Sequence, residues 1–267
     1  MLKKRIITAA VLVIALLAVV LGLPSSYTVA LLSAIVLAGA WEWSAFLRAG
    51  ATSIRLLYVL TVALLLPLVW HLTAGPAGRT VVAAVAVLWW ITALCWVVFA
   101  PRRASGWSAA LAGILALVPC WVSLLRLRLD NPRGAQWLLF VLLLVCLADV
   151  AAFFVGRRFG RVRLAPHVSP GKTWEGVLGA AGVSALVAAA GSGWFGIPLV
   201  RFVLLCLAAV GFSVVGDLTE SLLKRFAGVK DSGTLFPGHG GVMDRIDSVT
   251  GAAPVLFFGL LALGVAT

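Results

Sequence analysis

Apolar residues run along this chain in blocks of about twenty, the length a helix needs to cross the hydrocarbon core of a bilayer. The blocks lie near residues 6–23, 27–47, 56–73, 80–100, 107–125, 136–155, 174–190, 199–218 and 252–266. They predict an all-α, polytopic helical membrane protein with about nine transmembrane helices, because a helix satisfies its own backbone hydrogen bonds where water is absent. The first block, within MLKKRIITAAVLVIALLAVVLGL, also has the basic start and apolar middle of a secretory signal. Its apolar run of 18 residues is longer than such a segment needs and no small-x-small cleavage site follows, so it reads as a retained first span. No internal repeat stands out, which removes the support an inverted-repeat transporter architecture would need.

The polar stretches between the blocks set the orientation. With a cytoplasmic N-terminus, sixteen of the 21 Lys and Arg residues fall in inside segments, and only Arg79, Arg126, Arg128, Arg133 and Arg201 fall outside. That asymmetry is what the positive-inside rule expects. The net charge of +12 then reflects topology and attraction to anionic headgroups. No soluble basic domain exists to bind nucleic acid. Cys95, Cys120, Cys146 and Cys206 fall inside predicted spans without paired spacing, so they read as packing residues. The eleven tryptophans read as interfacial anchors.

With 63% hydrophobic and 11% charged residues, the placement of each acid is informative. Seven of the nine acids lie between 149 and 247, on or just beneath the predicted cytoplasmic face. Residues 1–105 therefore read as scaffold, and 106–267 as a catalytic region with cytoplasmic loops at 156–173 and 219–251. Asp217, Glu220, Ser221 and Lys224 follow helical spacing and share one face of a helix that continues the eighth span. Asp244, Asp247 and Ser248 repeat the pattern where the ninth begins. Two helices then present Asp217, Asp244 and Asp247 across one cleft, a donor set suited to Mg²⁺, which takes one or two carboxylates with phosphate and water. The alternative is that these acids pair with Lys224, Arg225 and Arg245. Asp149, two turns from the end of the sixth span, needs a cationic partner, with Lys172 or a basic residue of 157–163 in reach. Glu42 lacks such company and reads as structural. Asp130 reads as solvated.

Two loops carry glycine beside charge. PGHGG (237–241) lets backbone N–H groups approach an anion, with His239, Gly240 and Gly241 as contacts to a phosphate or leaving group. SPGKTWEG (169–176) tempts toward a P-loop, but Pro166 stands where that motif needs glycine, and no strand is expected before it. What remains is Ser169, Lys172 and Thr173 at the start of the seventh span, where free N–H groups favour phosphate. Glu175 in that first turn fits either a dipole-stabilising or a functional role.

SLLKRFAGVKDSGTLFPGHGGVMDRIDS (221–248) resembles the signature of the phosphatidate cytidylyltransferases, the CDP-diacylglycerol synthases. Ser221, Lys224, Arg225, Lys230, Asp231, Pro237, His239, Gly240, Gly241, Asp244, Arg245 and Asp247 all match that pattern. The likeness extends over roughly 145–250, through DVAAFFVGRRFG, SPGKTWEG and GDLTES, with Val150 a mild departure. The resemblance implies transfer of CMP from CTP to phosphatidic acid, giving CDP-diacylglycerol and pyrophosphate, with Mg²⁺, a cytoplasmic active site at the cell membrane, and a homodimer. On that reading Asp217, Asp244 and Asp247 hold metal, and Lys224, Arg225, Lys230 and Arg245 hold phosphate charge. Ser169, Lys172 and Thr173 contact one of the two phosphorylated substrates, with Ser221 and Asp149 in support. The rivals are a CTP-dependent enzyme acting on an isoprenoid lipid, such as a CDP-archaeol synthase, and a cation-coupled transporter of phosphorylated solutes.

Overall fold

The computed structural model describes residue 11 and residues 13–48, 50–233 and 240–265. It is a bundle of long helices. After α1 (Val13–Gly22), whose last turn is a π-turn, come α2 (Ser25–Trp43, extended by a 3₁₀ turn Ser44–Leu47), α3 (Thr52–Leu72), α4 (Pro76–Phe99) and α5 (Gly106–Leu129). Then follow α6 (Gly134–Phe159), the short strands β1 (Arg163–Ala165) and β2 (Ser169–Thr173), α7 (Trp174–Phe195), α8 (Leu199–Ala227) and α9 (Met243–Ala262). The eight helices α2–α9 are long and apolar enough to cross a membrane. The expected first span, 6–23, lies partly outside the described residues, and its described part is the shorter apolar α1. Lys3, Lys4 and Arg5 also lie outside them.

Two helices form the centre. In α5 nearly every residue from Ala116 to Leu127 is buried, and in α9 every residue from Asp247 to Phe257. Small residues permit this, because in lipid it is close backbone packing that holds helices together. Gly113 of α5 lies against Tyr58 and Trp43, where a Cβ would overlap both rings. Those rings are held in turn: the Trp43 indole donates to Ala109 O at 2.8 Å and the Tyr58 hydroxyl to Ala110 O at 3.1 Å. Trp43, Trp89, Trp90, Trp121 and Trp137 are all buried, so these five tryptophans fill the core and do not serve as interfacial anchors. All four cysteines are free; Cys120 and Cys206 are buried.

At the end of the bundle where α3 and α5 finish, Arg126 is buried and fully engaged. It donates to Trp70 O at 2.8 Å and to Thr73 Oγ1, stacks over the Trp70 ring, and pairs with Asp130 at 3.4 Å. Arg79 reaches Asp130 from α4 at 3.3 Å. Asp130 is thus not solvated as the sequence suggested; two arginines from different helices enclose it.

The segment between α6 and α7 corrects a second expectation. It forms an antiparallel hairpin, with Arg163 opposite Thr173 and Ala165 opposite Ser169, where no strand was foreseen. Glu175 explains part of this: its carboxylate accepts the Val162 N–H at 3.2 Å, and the Trp174 N–H bonds Val162 O at 3.0 Å, tying the hairpin's start to the first turn of α7. The 219–251 stretch is shorter as a loop than expected, since α8 runs to Ala227 and α9 begins at Met243. At 29 residues α8 is roughly 44 Å long, well beyond the ~30 Å hydrocarbon core, and its last turns carry the charged residues Asp217, Glu220, Lys224 and Arg225. Gly228, at φ +76°, ends it, with Val229 N–H bonding back to Lys224 O at 2.9 Å.

Candidate active site

The site is built where α8 and α9 cross. Gly216 of α8 lies against the backbone carbonyl of Asp247, and Gly251 of α9 against that of Phe212; a Cβ at either position would collide with it. This double close approach sets Asp217, beside Gly216, near Asp247. The helical spacing read from the sequence holds: Asp217, Glu220 and Lys224 line one side of α8 and face the start of α9.

Two lysines from different elements engage the acids. Lys172 of β2 places its Nζ 2.5 Å from Asp217 Oδ2, while Ser221, one turn along α8, donates to Asp217 Oδ1 at 3.3 Å. Lys172 is delivered there by its neighbour. The Thr173 hydroxyl accepts the Gly176 N–H at 3.2 Å and caps α7, and the same side chain fills the space left by Gly156 and Gly160 at the end of α6. Thr173 is buried, so its hydroxyl serves the fold and fixes the hairpin that carries Lys172.

Lys224 makes the second junction. Its Nζ lies 2.7 Å from Glu220 Oε2 and 2.7 Å from Asp244 Oδ1. The other oxygen of Asp244 accepts the Gly241 N–H at 2.8 Å, the Ser232 N–H at 3.1 Å and lies 3.0 Å from the Ser232 hydroxyl. Gly240 adopts φ +81°, and its Cα faces the Asp244 carboxylate. These contacts fold the returning loop over Asp244, so both glycines of the pair are demanded by close packing within the protein.

Asp247 is buried and accepts the Ser248 N–H at 2.8 Å; it lies within electrostatic reach of Asp217 and Glu220. Asp149 of α6 completes the group. The Ser248 hydroxyl approaches it at 3.4 Å, and both Asp217 and Lys172 act on it. Lys172, its expected partner, pairs with Asp217 and reaches Asp149 only through the field of its charge. Asp149, Asp217, Glu220, Asp244 and Asp247 are five carboxylates against Lys172, Lys224 and Arg245, and Glu220 Oε1 is buried with no hydrogen-bond donor.

Among the described residues, no three acidic, histidine or cysteine side chains converge to hold one ion. Asp217, Asp244 and Asp247 are thus not a single three-ligand set in this conformation, because Asp244 has turned to Lys224 and the loop. A surplus of two carboxyl groups over basic groups and an unpartnered carboxylate oxygen still suit one divalent cation bound by one or two carboxylates, with phosphate and water completing its shell.

Arg245 is exposed at the start of α9. Arg225 and Lys230 are exposed at and beyond the end of α8, and the contacts described do not join them to the acids. Ser169 lies at the turn end of β2, opposite Ala165. His239 and Pro237 lie outside the described residues. Ser232 and Glu42 belong to the network although the sequence did not place them in it; Glu220, read onto one face with Asp217 and Lys224, belongs to it as well. Glu220 carried a signal, its spacing of four from Lys224. Ser232 and Glu42 carried none, since their contact spans 190 residues.

A cleft of about 1110 Å³ opens from this cluster between α1, α6 and α7. Asp149, Asp244, Arg245 and Asp247 line one end, and its walls are apolar, among them Leu139, Leu143, Val187 and Ala190. The lining runs along α6 from Asp149 to Gln136, roughly 20 Å at helical rise, more than the ~15 Å depth of one leaflet. At the far end the Trp194 indole donates to Gln136 Oε1 at 3.1 Å, and Arg133 donates to Trp194 O at 2.6 Å.

The chain matches the model of the cytidylyltransferase family over residues 3–263. It is 41% identical over 280 residues to a phosphatidate cytidylyltransferase of Haemophilus influenzae, covering 95% of this chain and 96% of the relative. It is 40% identical over 271 residues to that of Pseudomonas aeruginosa, covering 99% and 98% respectively. With the phosphatidate cytidylyltransferase of Bacillus subtilis it shares 36% identity over 146 residues, 54% of each chain.

Proposed function

The chain belongs to the cytidylyltransferase family and is a membrane-embedded nucleotidyltransferase, and we propose that it transfers CMP from CTP to phosphatidic acid, giving CDP-diacylglycerol and pyrophosphate. The observation that carries this reading is the cleft: an apolar channel for acyl chains that ends on Asp149, Asp244, Arg245 and Asp247. A lipid bearing a phosphate fits both ends of it at once. The bacterial relatives support the cell membrane, and the distribution of basic residues supports a cytoplasmic N-terminus and site. A homodimer, implied by the family resemblance, remains part of the proposal.

In this reaction an oxygen of the lipid phosphate attacks the α-phosphorus of CTP; the new P–O bond forms as the bond to the β-phosphate breaks, and pyrophosphate leaves. The nucleophile is already anionic, so the protein needs no strong general base. Its problem is to bring two polyanions together. Lys172 and Lys224 stand at the carboxylates and are placed to exchange them for phosphate oxygens, with Arg245 at the cleft and Arg225 and Lys230 as further contacts on the solvent side; His239 is a contact that the family resemblance implies. Ser169, at the turn of the hairpin, and the N–H group of Gly240 add neutral donors, the Gly241 N–H being held by Asp244, and Ser221 keeps Asp217 oriented.

Mg²⁺ fits the surplus of carboxylate, and when bound it neutralises the triphosphate and the departing pyrophosphate. Asp217 and Asp247 would hold it, and Asp244 would join them were Lys224 to release it.

The test is an assay of purified protein in lipid–detergent micelles with labelled CTP, Mg²⁺ and phosphatidic acid. CDP-diacylglycerol formation that stops in Asp244→Asn supports the reading. Transfer only to an isoprenoid ether lipid phosphate would move the substrate, and no transfer to either lipid in folded protein would overturn it.

A further inference from the structure

Glu42 is the only acidic residue before position 130, and it is buried in α2, 6% exposed, far in sequence from every other acid of the site. Its Oε2 accepts the Met243 N–H at 2.9 Å and lies 3.0 Å from the Ser232 hydroxyl. The Met243 N–H belongs to the first turn of α9, whose donors have no partner within their own helix. Glu42 therefore caps α9 from another helix, with its charge at the positive end of the α9 dipole.

The described ends of the returning loop pack on this carboxylate. A Cβ on Gly233 or Gly241 would overlap Glu42, and one turn earlier Gly39 leaves the space that the Met243 sulfur fills, 3.1 Å from where its own Cβ would stand. The two groups that bond Asp244 Oδ2 from the loop, Ser232 and Gly241, thus both rest on Glu42.

We infer that Glu42 is a positioning residue of the active site: it fixes both ends of the loop between Ser232 and Gly241, and through them sets Asp244 against Lys224. The inference rests on the reading of Asp244 and Lys224 as part of the cytidylyl-transfer site. It also gives the N-terminal helices a share in the chemistry that a passive scaffold does not have.

The test compares Glu42→Ala and Glu42→Gln in the full chain, by initial rates and by amide hydrogen exchange in lipid micelles. Glutamine keeps an acceptor at the same reach, so its kcat and its loop protection stay close to those of the unmodified protein. Alanine removes the acceptor: kcat falls about 10- to 100-fold, as for other residues that orient ligating groups, while KM for phosphatidic acid stays within about two-fold. Exchange then quickens over 228–244 and is unchanged in α6 and α7. An alanine variant with unaltered kcat and exchange overturns the inference. So does one whose exchange rises evenly through all helices, which marks a purely structural role. If the unmodified protein transfers no cytidylyl group, the proposed function fails by itself, and the exchange comparison still decides whether Glu42 holds the loop.

Discussion

The Lys224 ammonium stands 2.7 Å from Asp244 Oδ1 and ties α8 to α9 across the loop that joins them. The same ammonium holds Glu220, whose side chain is completely buried. Removing one member of such a group leaves the others charged and unpaired, at a cost of about 3–5 kcal/mol. Lys224→Met is expected to lose transfer activity and melt well below the unmodified protein. Adding Glu220→Gln to Lys224→Met removes one uncompensated charge and is expected to recover part of the melting temperature. A double variant no more stable than the single one contradicts the pairing.

Asp217 and Asp247 come together because two glycines let α8 and α9 touch backbone to backbone. If they are the carboxylates that hold Mg²⁺, Asp217→Asn raises the half-saturating Mg²⁺ concentration of the assay by about ten-fold or more. Binding of Mn²⁺, followed by its paramagnetic resonance, weakens in parallel without any substrate present. Unchanged Mn²⁺ binding in both Asp217→Asn and Asp247→Asn removes these two residues from the proposed ligand set.

The sequence made this crossing legible and left the rest of the site obscure for definite reasons. Helical spacing placed Asp217, Glu220 and Lys224 on one face because both helices are regular there. Apolar block length located the eight long helices for the same reason. The hairpin at 163–173 was missed: its strands are three and five residues long, too short for an alternating pattern to register, and Glu175 and Thr173 fix it through side-chain bonds. Glu42 was given no partner because nothing local marks a contact with Ser232. Asp130 was misread as solvated: the i,i+4 spacing from Arg126 was overlooked, and Arg79 meets it only when α4 packs against α5.

Thr173 separates a structural role from a phosphate-binding one. Its hydroxyl caps α7 by accepting the Gly176 N–H, and loss of such a cap costs about 1 kcal/mol. Thr173→Ser keeps the oxygen and is expected to stay near the unmodified melting temperature; Thr173→Val loses the cap and melts lower. Because Lys172 is carried on the same strand, KM for CTP or phosphatidic acid rises only in the valine variant. A larger kinetic loss in the serine variant than in the valine variant would show that the methyl packing against Gly160 matters more than the cap.

The cleft makes a prediction that concerns the lipid alone. Ala190 lines it on α7 and is exposed to it, far from the charged end. Ala190→Trp fills volume where an acyl chain would lie, without touching Asp149, Lys172 or the α8–α9 crossing. KM for phosphatidic acid is expected to rise by about ten-fold, the scale set by losing one or two methylene-sized contacts in an apolar pocket. KM for CTP stays the same, and so does the Mg²⁺ dependence. Short-chain phosphatidic acid, which leaves that part of the cleft empty, is expected to be used equally well by both proteins. If the tryptophan variant instead handles long and short chains alike, the acyl chains lie elsewhere on the bundle, and the cleft no longer supports the choice of a lipid phosphate as acceptor.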